Sequence, residues 1–241
     1  MSRMLLVLAA LLVMLGAPAR ADDWQDCQAR EDLDAAVAAC TRLLESYETS
    51  LPLRALAYWQ RAAIRFRQKD FDKVINDCNE ALAINPNFAP AFDTRGGAHL
   101  GRGEFDLAIA DQTRAINLQP LSGYYNNRAW AYFLMGDIAN AHADISAAER
   151  YGPLGPAELD TRGHVRAARG EKDSALQDFI DAAQASEEMR QEYQNGLKRQ
   201  RIYDGASDGK WSKQLQDAIG ACLREFPKCD PIENNERKPV S

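Results

Sequence analysis

Within residues 89–121 the apolar positions fall into two helical stripes. Phe92, Gly96 and Leu100 recur every fourth residue, Gly103 and Glu104 interrupt, and Phe105, Ala108, Ile109, Ala115 and Ile116 resume the spacing until Pro120. Positions three, four and seven apart mark a helix with one buried stripe. Two such helices of about a dozen residues, joined by a glycine turn, predict an antiparallel hairpin. One hairpin cannot bury its own stripe, so the pattern demands copies of itself.

The copies are present. Residues 55–88 carry Ala62, Phe71, Val74, Ala81 and Pro86 in matching places. Residues 122–155 carry Ala129, Gly136, Ala141, Ala148 and Pro153, and residues 156–189 carry Gly163, Gly170, Ala175 and Ala182 without the closing proline. The shared spacing is a small residue, a Gly or Lys turn seven later, Ala or Val five later, Ala seven later and Pro five later. Four copies in phase over residues 55–189 resemble the tetratricopeptide repeat. The resemblance implies an all-α, right-handed superhelical solenoid of antiparallel helix pairs, with a peptide or protein segment bound on its concave face.

A charged pattern keeps the same register. Arg61 and Asp77, Arg95 and Asp111, Arg128 and Asp144, and Arg162 and Asp178 all stand sixteen residues apart. Solvated charges need no register, so an Arg–Asp ladder tying helices together is the favoured reading, and guanidinium geometry suits it. A ligand-binding arginine row is the alternative. Gln112 is expected to face solvent.

On both sides of the repeats the pattern changes. Residues 22–54 contain the turn and second helix of the unit (EDLDAAVAACTRLLE, residues 31–45) after a shortened first helix, as a capping repeat would, and residues 47–54 interrupt the period. Beyond residue 189 the period fails; residues 190–229 are expected to form a helical segment, with helices over 192–201 and 212–225. Residues 196–222 resemble the helix–loop–helix part of peptidoglycan-binding-like domains through Leu197, Tyr203, Gly205, Asp208, Gly209, Trp211, Ala218 and Ile219. They depart from it at Ser212-Lys213, where Gly-Pro is usual, and at Leu215, where Thr is frequent. The resemblance implies a possible glycan loop at Tyr203, Asp208 and Trp211; the other reading is a cap reusing the motif. The polar chain from Cys229, and above all residues 230–241, is expected to fray.

Residues 1–21 read as a cleavable signal: Arg3, a thirteen-residue apolar run over 4–16, and Ala19-Arg20-Ala21 before the cut. Thirteen residues are too few to span a bilayer, so no membrane span is expected after removal. A periplasmic or secreted protein follows, and its formal charge moves from −6 to −8 as Arg3 and Arg20 leave. That acidity disfavours nucleic acid as a partner. An oxidising compartment favours pairing of the five cysteines. Cys27 and Cys40 fall in facing columns of the truncated repeat, and Cys222 and Cys229 are near in sequence, which leaves Cys78 alone. Cys40 bonded to Cys78 is the competing arrangement.

Little points to catalysis. His99, His142 and His164 lie one per repeat with no second ligand at metal-site spacing. The carboxylates are periodic rather than paired, and neither a phosphate loop nor a nucleophile motif is visible. The expectation is no enzyme, no cofactor and no metal. Projecting the family's concave face onto the chain selects Trp59, Ala63, Phe66 and Arg67; Asp93, Gly97 and Leu100; Asn126, Trp130, Phe133 and Leu134; and Asp160, His164 and Ala167. Two readings of its aromatics stand open: anchors for a partner, or a seat for the chain's own C-terminal segment. The expected function is a periplasmic scaffold binding a peptide or protein partner in its groove, within an envelope assembly. The alternative is a cell-wall-associated protein that binds peptidoglycan through its C-terminal segment.

Overall fold

The computed structural model describes residues 22–232. The expected signal (1–21) and the end of the expected tail (233–241) lie outside the described residues. Those residues form twelve α-helices and one 3₁₀ turn, divided after Gly103 into two compact units.

Unit 1 holds α1 (Asp23–Cys27), α2 (Leu33–Glu45), α3 (Leu51–Arg67), α4 (Phe71–Ile84) and α5 (Ala89–Gly101). The Asp32 and Asp70 carboxylates accept from the backbone N–H groups of Ala35 and Lys73, capping α2 and α4. Proline in the first turn, where its missing N–H costs nothing, starts α3 and α5. Ala62, Val74, Cys78 and Ala98 form a dry seam joining α3, α4 and α5. At Gly101 a Cβ would lie 2.4 Å from the Phe71 ring, so only glycine admits that ring.

Unit 2 holds α6 (Phe105–Leu118), α7 (Ser122–Leu134), α8 (Ile138–Ala148), the 3₁₀ turn Glu149–Tyr151, α9 (Pro156–Ala168), α10 (Lys172–Ala185), α11 (Glu187–Arg199) and α12 (Lys213–Arg224). Antiparallel pairing puts α7 on α8 and α9 on α10, as α3 lies on α4 in unit 1. The turns inside these pairs use a left-handed residue: Gly136 and Gly170 at φ near +81° and +82°, and Lys69 at +59°. Both units are thus stacks of antiparallel helix pairs, the all-helical solenoid architecture expected of the pattern.

Four local expectations need correction. The interruption over 47–54 is partly helix, because α3 begins at Leu51. Residues 187–189, counted with the fourth repeat, are the first turn of α11, five residues ahead of the expected helix at 192; the Ser186 hydroxyl caps it by accepting from the Met189 N–H. Gln112 is 1% exposed rather than a surface residue. The chain from Cys229 to Ile232 does not fray: Cys229, Pro231 and Ile232 are buried, two of them in a cluster with Tyr193, Leu197, Leu215 and Ile219. Polarity misled the reading there, because two apolar side chains and a disulfide outweigh one aspartate.

Candidate binding faces

The Arg–Asp pairs are the skeleton on which both faces hang. Arg61 donates twice to Asp77, at 3.0 and 2.7 Å, and Arg128 twice to Asp144, at 2.7 and 2.8 Å. Arg162 holds Asp178 at 2.6 to 3.1 Å. Each of these arginines also reaches back to the preceding helix pair. Arg61 Nη1 donates to Thr41, Arg128 Nη1 to Thr113 and Arg162 Nη1 to Glu149. Arg95 lies in unit 1 and donates to Asn79, while Asp111, in unit 2, is 8% exposed. Bonds to Asp144 raise Arg128 above its usual pKa; at Arg162 burial opposes the charge, but bonds to Asp178 and Glu149 outweigh it. Sequence reading missed a second arginine one turn on: Arg65 and Arg166 add bonds of 2.6 and 2.7 Å to Asp77 and Asp178.

In unit 1 the projected face remains open. Its Trp59, Ala63 and Phe66 follow one another three or four residues apart along α3, and Leu56, which the projection did not select, precedes them by three. Phe66 and Leu56 are each 38% exposed. The Phe66 ring leans on Phe71 and lies over Gly97, where a Cβ would stand 3.1 Å away. Trp59 is held edge-on to Phe88, its indole N–H donating to Thr94 at 3.0 Å. Arg67 is exposed and Asp93 half-buried. Beside this stripe a cleft of about 420 Å³ is lined by Leu51, Pro52, Leu56, Ile84 and Phe88.

In unit 2 the corresponding face is filled. Phe133 is 2% exposed, His164 is fully buried, and Asn126 is 7% exposed. Trp130 stacks on Phe133 and meets the His164 imidazole edge-on; that ring in turn meets Phe179, and Phe179 meets Tyr193. Phe133, His164 and Asn126 are therefore interior residues rather than exposed groove anchors, and Asp230 of the C-terminal segment reaches His164. His164 Nδ1 lies 2.8 Å from the Asp160 carbonyl oxygen and Nε2 lies 3.0 Å from the Asp230 carboxylate. Both ring nitrogens face acceptors, and only the imidazolium donates from both. Burial alone would lower the His164 pKa, but the Asp230 and Asp160 charges overcome it and hold it at about 9. Tyr193 donates to Asp160 at 2.8 Å, and burial followed by that neighbouring charge pushes its hydroxyl well above the usual value.

The remaining candidates resolve as follows. Cys27 faces Cys40 in one disulfide and Cys222 faces Cys229 in another, with Cα separations of 4.7 and 5.2 Å, while Cys78 is free and buried. The Tyr203 ring is 5% exposed and donates to the Ala206 carbonyl, and Trp211 packs against the same core cluster. The exposed Asp208 accepts from Gln194 and from the Lys210 N–H, which lowers its pKa. Two of the three expected glycan-loop residues thus serve packing, because the loop closes over the α11–α12 core. Among the described residues no cluster has a metal ligand set, and no helix is long and apolar enough to cross a membrane. Asp230, Gln200 and Gly196 were not singled out from the sequence, since nothing periodic marks them.

Residues 55–88 match the family model described as tetratricopeptide repeat. Heat shock protein STI1 of Saccharomyces cerevisiae is 35% identical over 88 residues, covering 36% of this chain and 14% of that protein. E3 ubiquitin-protein ligase CHIP of Arabidopsis thaliana is 30% identical over 113 residues, covering 45% of this chain and 39% of that one. The chain spans well under half of either relative. A crystal structure of a tetratricopeptide repeat protein from Parabacteroides merdae overlays with a TM-score of 0.56 and 19% identity, over 80% of this chain and 64% of that one. Residues 55–88 thus match a tetratricopeptide repeat, and the chain around them shares the all-helical array of paired antiparallel helices seen in that structure.

Proposed function

We propose that the protein is a periplasmic scaffold that holds a peptide or protein partner on the open face of unit 1, within an envelope assembly. The exposed stripe of Leu56 and Phe66 beside the cleft carries this reading, because the equivalent face of unit 2 is already covered. Large apolar side chains left in water on a rigid helical face are typical anchors of interfaces. The periplasmic location is supported by the signal-like residues 1–21 and by two disulfides, which an oxidising compartment maintains.

The test has two arms. Cross-linking in intact cells followed by affinity capture compares the wild type with Leu56→Glu and Phe66→Glu. A partner kept by the wild type and lost from both variants, at unchanged melting temperature, supports the face; equal capture sinks it. Fusion of the full chain to a phosphatase active only after export reports the location, and an inactive fusion removes the periplasmic reading.

A further inference from the structure

Residues 229–232 lie on unit 2 in the manner of a bound peptide. Asp230 is the polar centre: its carboxylate accepts from His164 Nε2 at 3.0 Å and from the Ile232 N–H at 2.8 Å. Gln200 grips the Asp230 backbone from both sides, donating to its carbonyl at 2.6 Å and accepting from its N–H at 3.2 Å. Pro231 is buried and Ile232 then enters the apolar cluster.

The seat is shaped for backbone. Gly196, in the last turn of α11, has no side chain where the segment crosses: a Cβ there would lie 2.3 Å from the Pro231 carbonyl oxygen and 3.2 Å from the Ile232 Cα. The role of the glycine here is to let another stretch of chain approach. The charged groups around the seat are His164, Asp160 and Tyr193, with Asp160 already engaged by the Tyr193 hydroxyl. His164 therefore offers its second N–H to whatever acceptor occupies the seat, and a carboxylate is the strongest acceptor available.

We infer that this seat is a recognition site for a peptide carrying an aspartate followed by two apolar residues, and that the chain's own Asp230-Pro231-Ile232 occupies it as a displaceable internal ligand. The inference is independent of the open face of unit 1. The segment is tethered next to the seat by the Cys222–Cys229 disulfide and competes intramolecularly, so a partner peptide enters only when the internal copy is weakened or outmatched. Asp supplies the charge for His164, the second residue passes over Gly196, and the branched third residue fills the place of Ile232.

The experiment uses fluorescein-labelled acetyl-Ser-Asp-Pro-Ile-Glu-Asn-amide and fluorescence anisotropy on the full chain. Asp230→Lys sets a cation against His164 and expels the internal copy; Ile232→Asp weakens it from the apolar end and serves if the first variant does not fold. The peptide should bind either variant at least tenfold more tightly than the wild type. Adding Gly196→Ala should abolish that binding, and an Asn-for-Asp peptide should bind at least tenfold more weakly. Equal binding to wild type and variants, indifference to the Asn peptide, or binding that survives Gly196→Ala overturns the proposal. Loss of the whole unit 2 fold in both variants also overturns it, because the segment would then be inseparable core.

Discussion

Units 1 and 2 start from the same helix pair and finish differently. In unit 1 the stripe through Leu56 and Phe66 reaches water. In unit 2 Phe133 and His164, on the same face of the repeat, are buried, and His164 lies against Asp230. A repeat's inner face is therefore not a binding surface by virtue of its place in the repeat. It becomes one only where the chain supplies nothing to cover it. The difference also redistributes charge: unit 2 buries an imidazolium between two aspartates, whereas the cleft of unit 1 is lined mainly by apolar side chains.

The largest contrast should come from the ion pairs. Arg128 and Asp144 in unit 2 leave only 17% and 9% of their side chains exposed, so Arg128→Ala strands a buried carboxylate at a cost of roughly 3–5 kcal/mol. Arg102 and Asp72 in unit 1 form an exposed pair, and Arg102→Ala should cost below about 1 kcal/mol. Urea denaturation of both variants reads the difference, and equal losses would refute the structural role of the ladder.

Next comes the N-terminal disulfide, which closes a short loop in unit 1. Replacing Cys27 and Cys40 together by serine should cost about 3 kcal/mol. Hydrogen exchange should localise the loss to α1 and α2, leaving the protection of α9 to α11 unchanged. Loss spread through unit 2 would mean that the two units do not act separately.

The aromatic positions test the covered and open faces directly. Trp130 is half-buried and stacked on Phe133, so Trp130→Ala should cost roughly 2 kcal/mol, below the 3–5 of a fully buried aromatic. Phe66→Ala should cost under about 1 kcal/mol and instead weaken partner capture. Calorimetry on the pair decides: a larger loss at Phe66 would reverse the assignment of open and covered faces.

The last effect is graded by pH. His164 has a folded pKa of about 9 against 6.5 unfolded, so its contribution is fully present below about pH 6.5. It falls as pH rises, by about 1.4 kcal/mol per pH unit, until it is gone above about pH 9. His164→Gln should flatten that slope in unit 2. A variant that retains the wild-type slope would show that His164 is not the titrating group.

The helix pairs were legible because their signal is local and periodic. The positions of Ala62, Ala129 and Gly163 recur where helices touch, and the sixteen-residue Arg–Asp interval survives as bidentate pairs at 2.6 to 3.1 Å wherever both members share a unit. The cysteine pairs were legible for the same reason, since each joins residues within one small element set. Where α11 begins could have been seen from Ser186, whose hydroxyl caps the helix, but the repeat length drew the boundary three residues too late.

What the sequence determined by itself was thus the repeating unit and the contacts inside it, because spacing along a helix dictates which side chains share a face. Only the tertiary structure decided which faces stay open. The contact between His164 and Asp230 spans 66 residues and depends on how α11, the loop over 200–212 and α12 return the chain. No periodicity encodes that return. Asp230 reads as one more solvated carboxylate until the fold places a buried imidazolium 3.0 Å away, and Gly196 reads as a weak point in a helix until another segment of backbone lies across it.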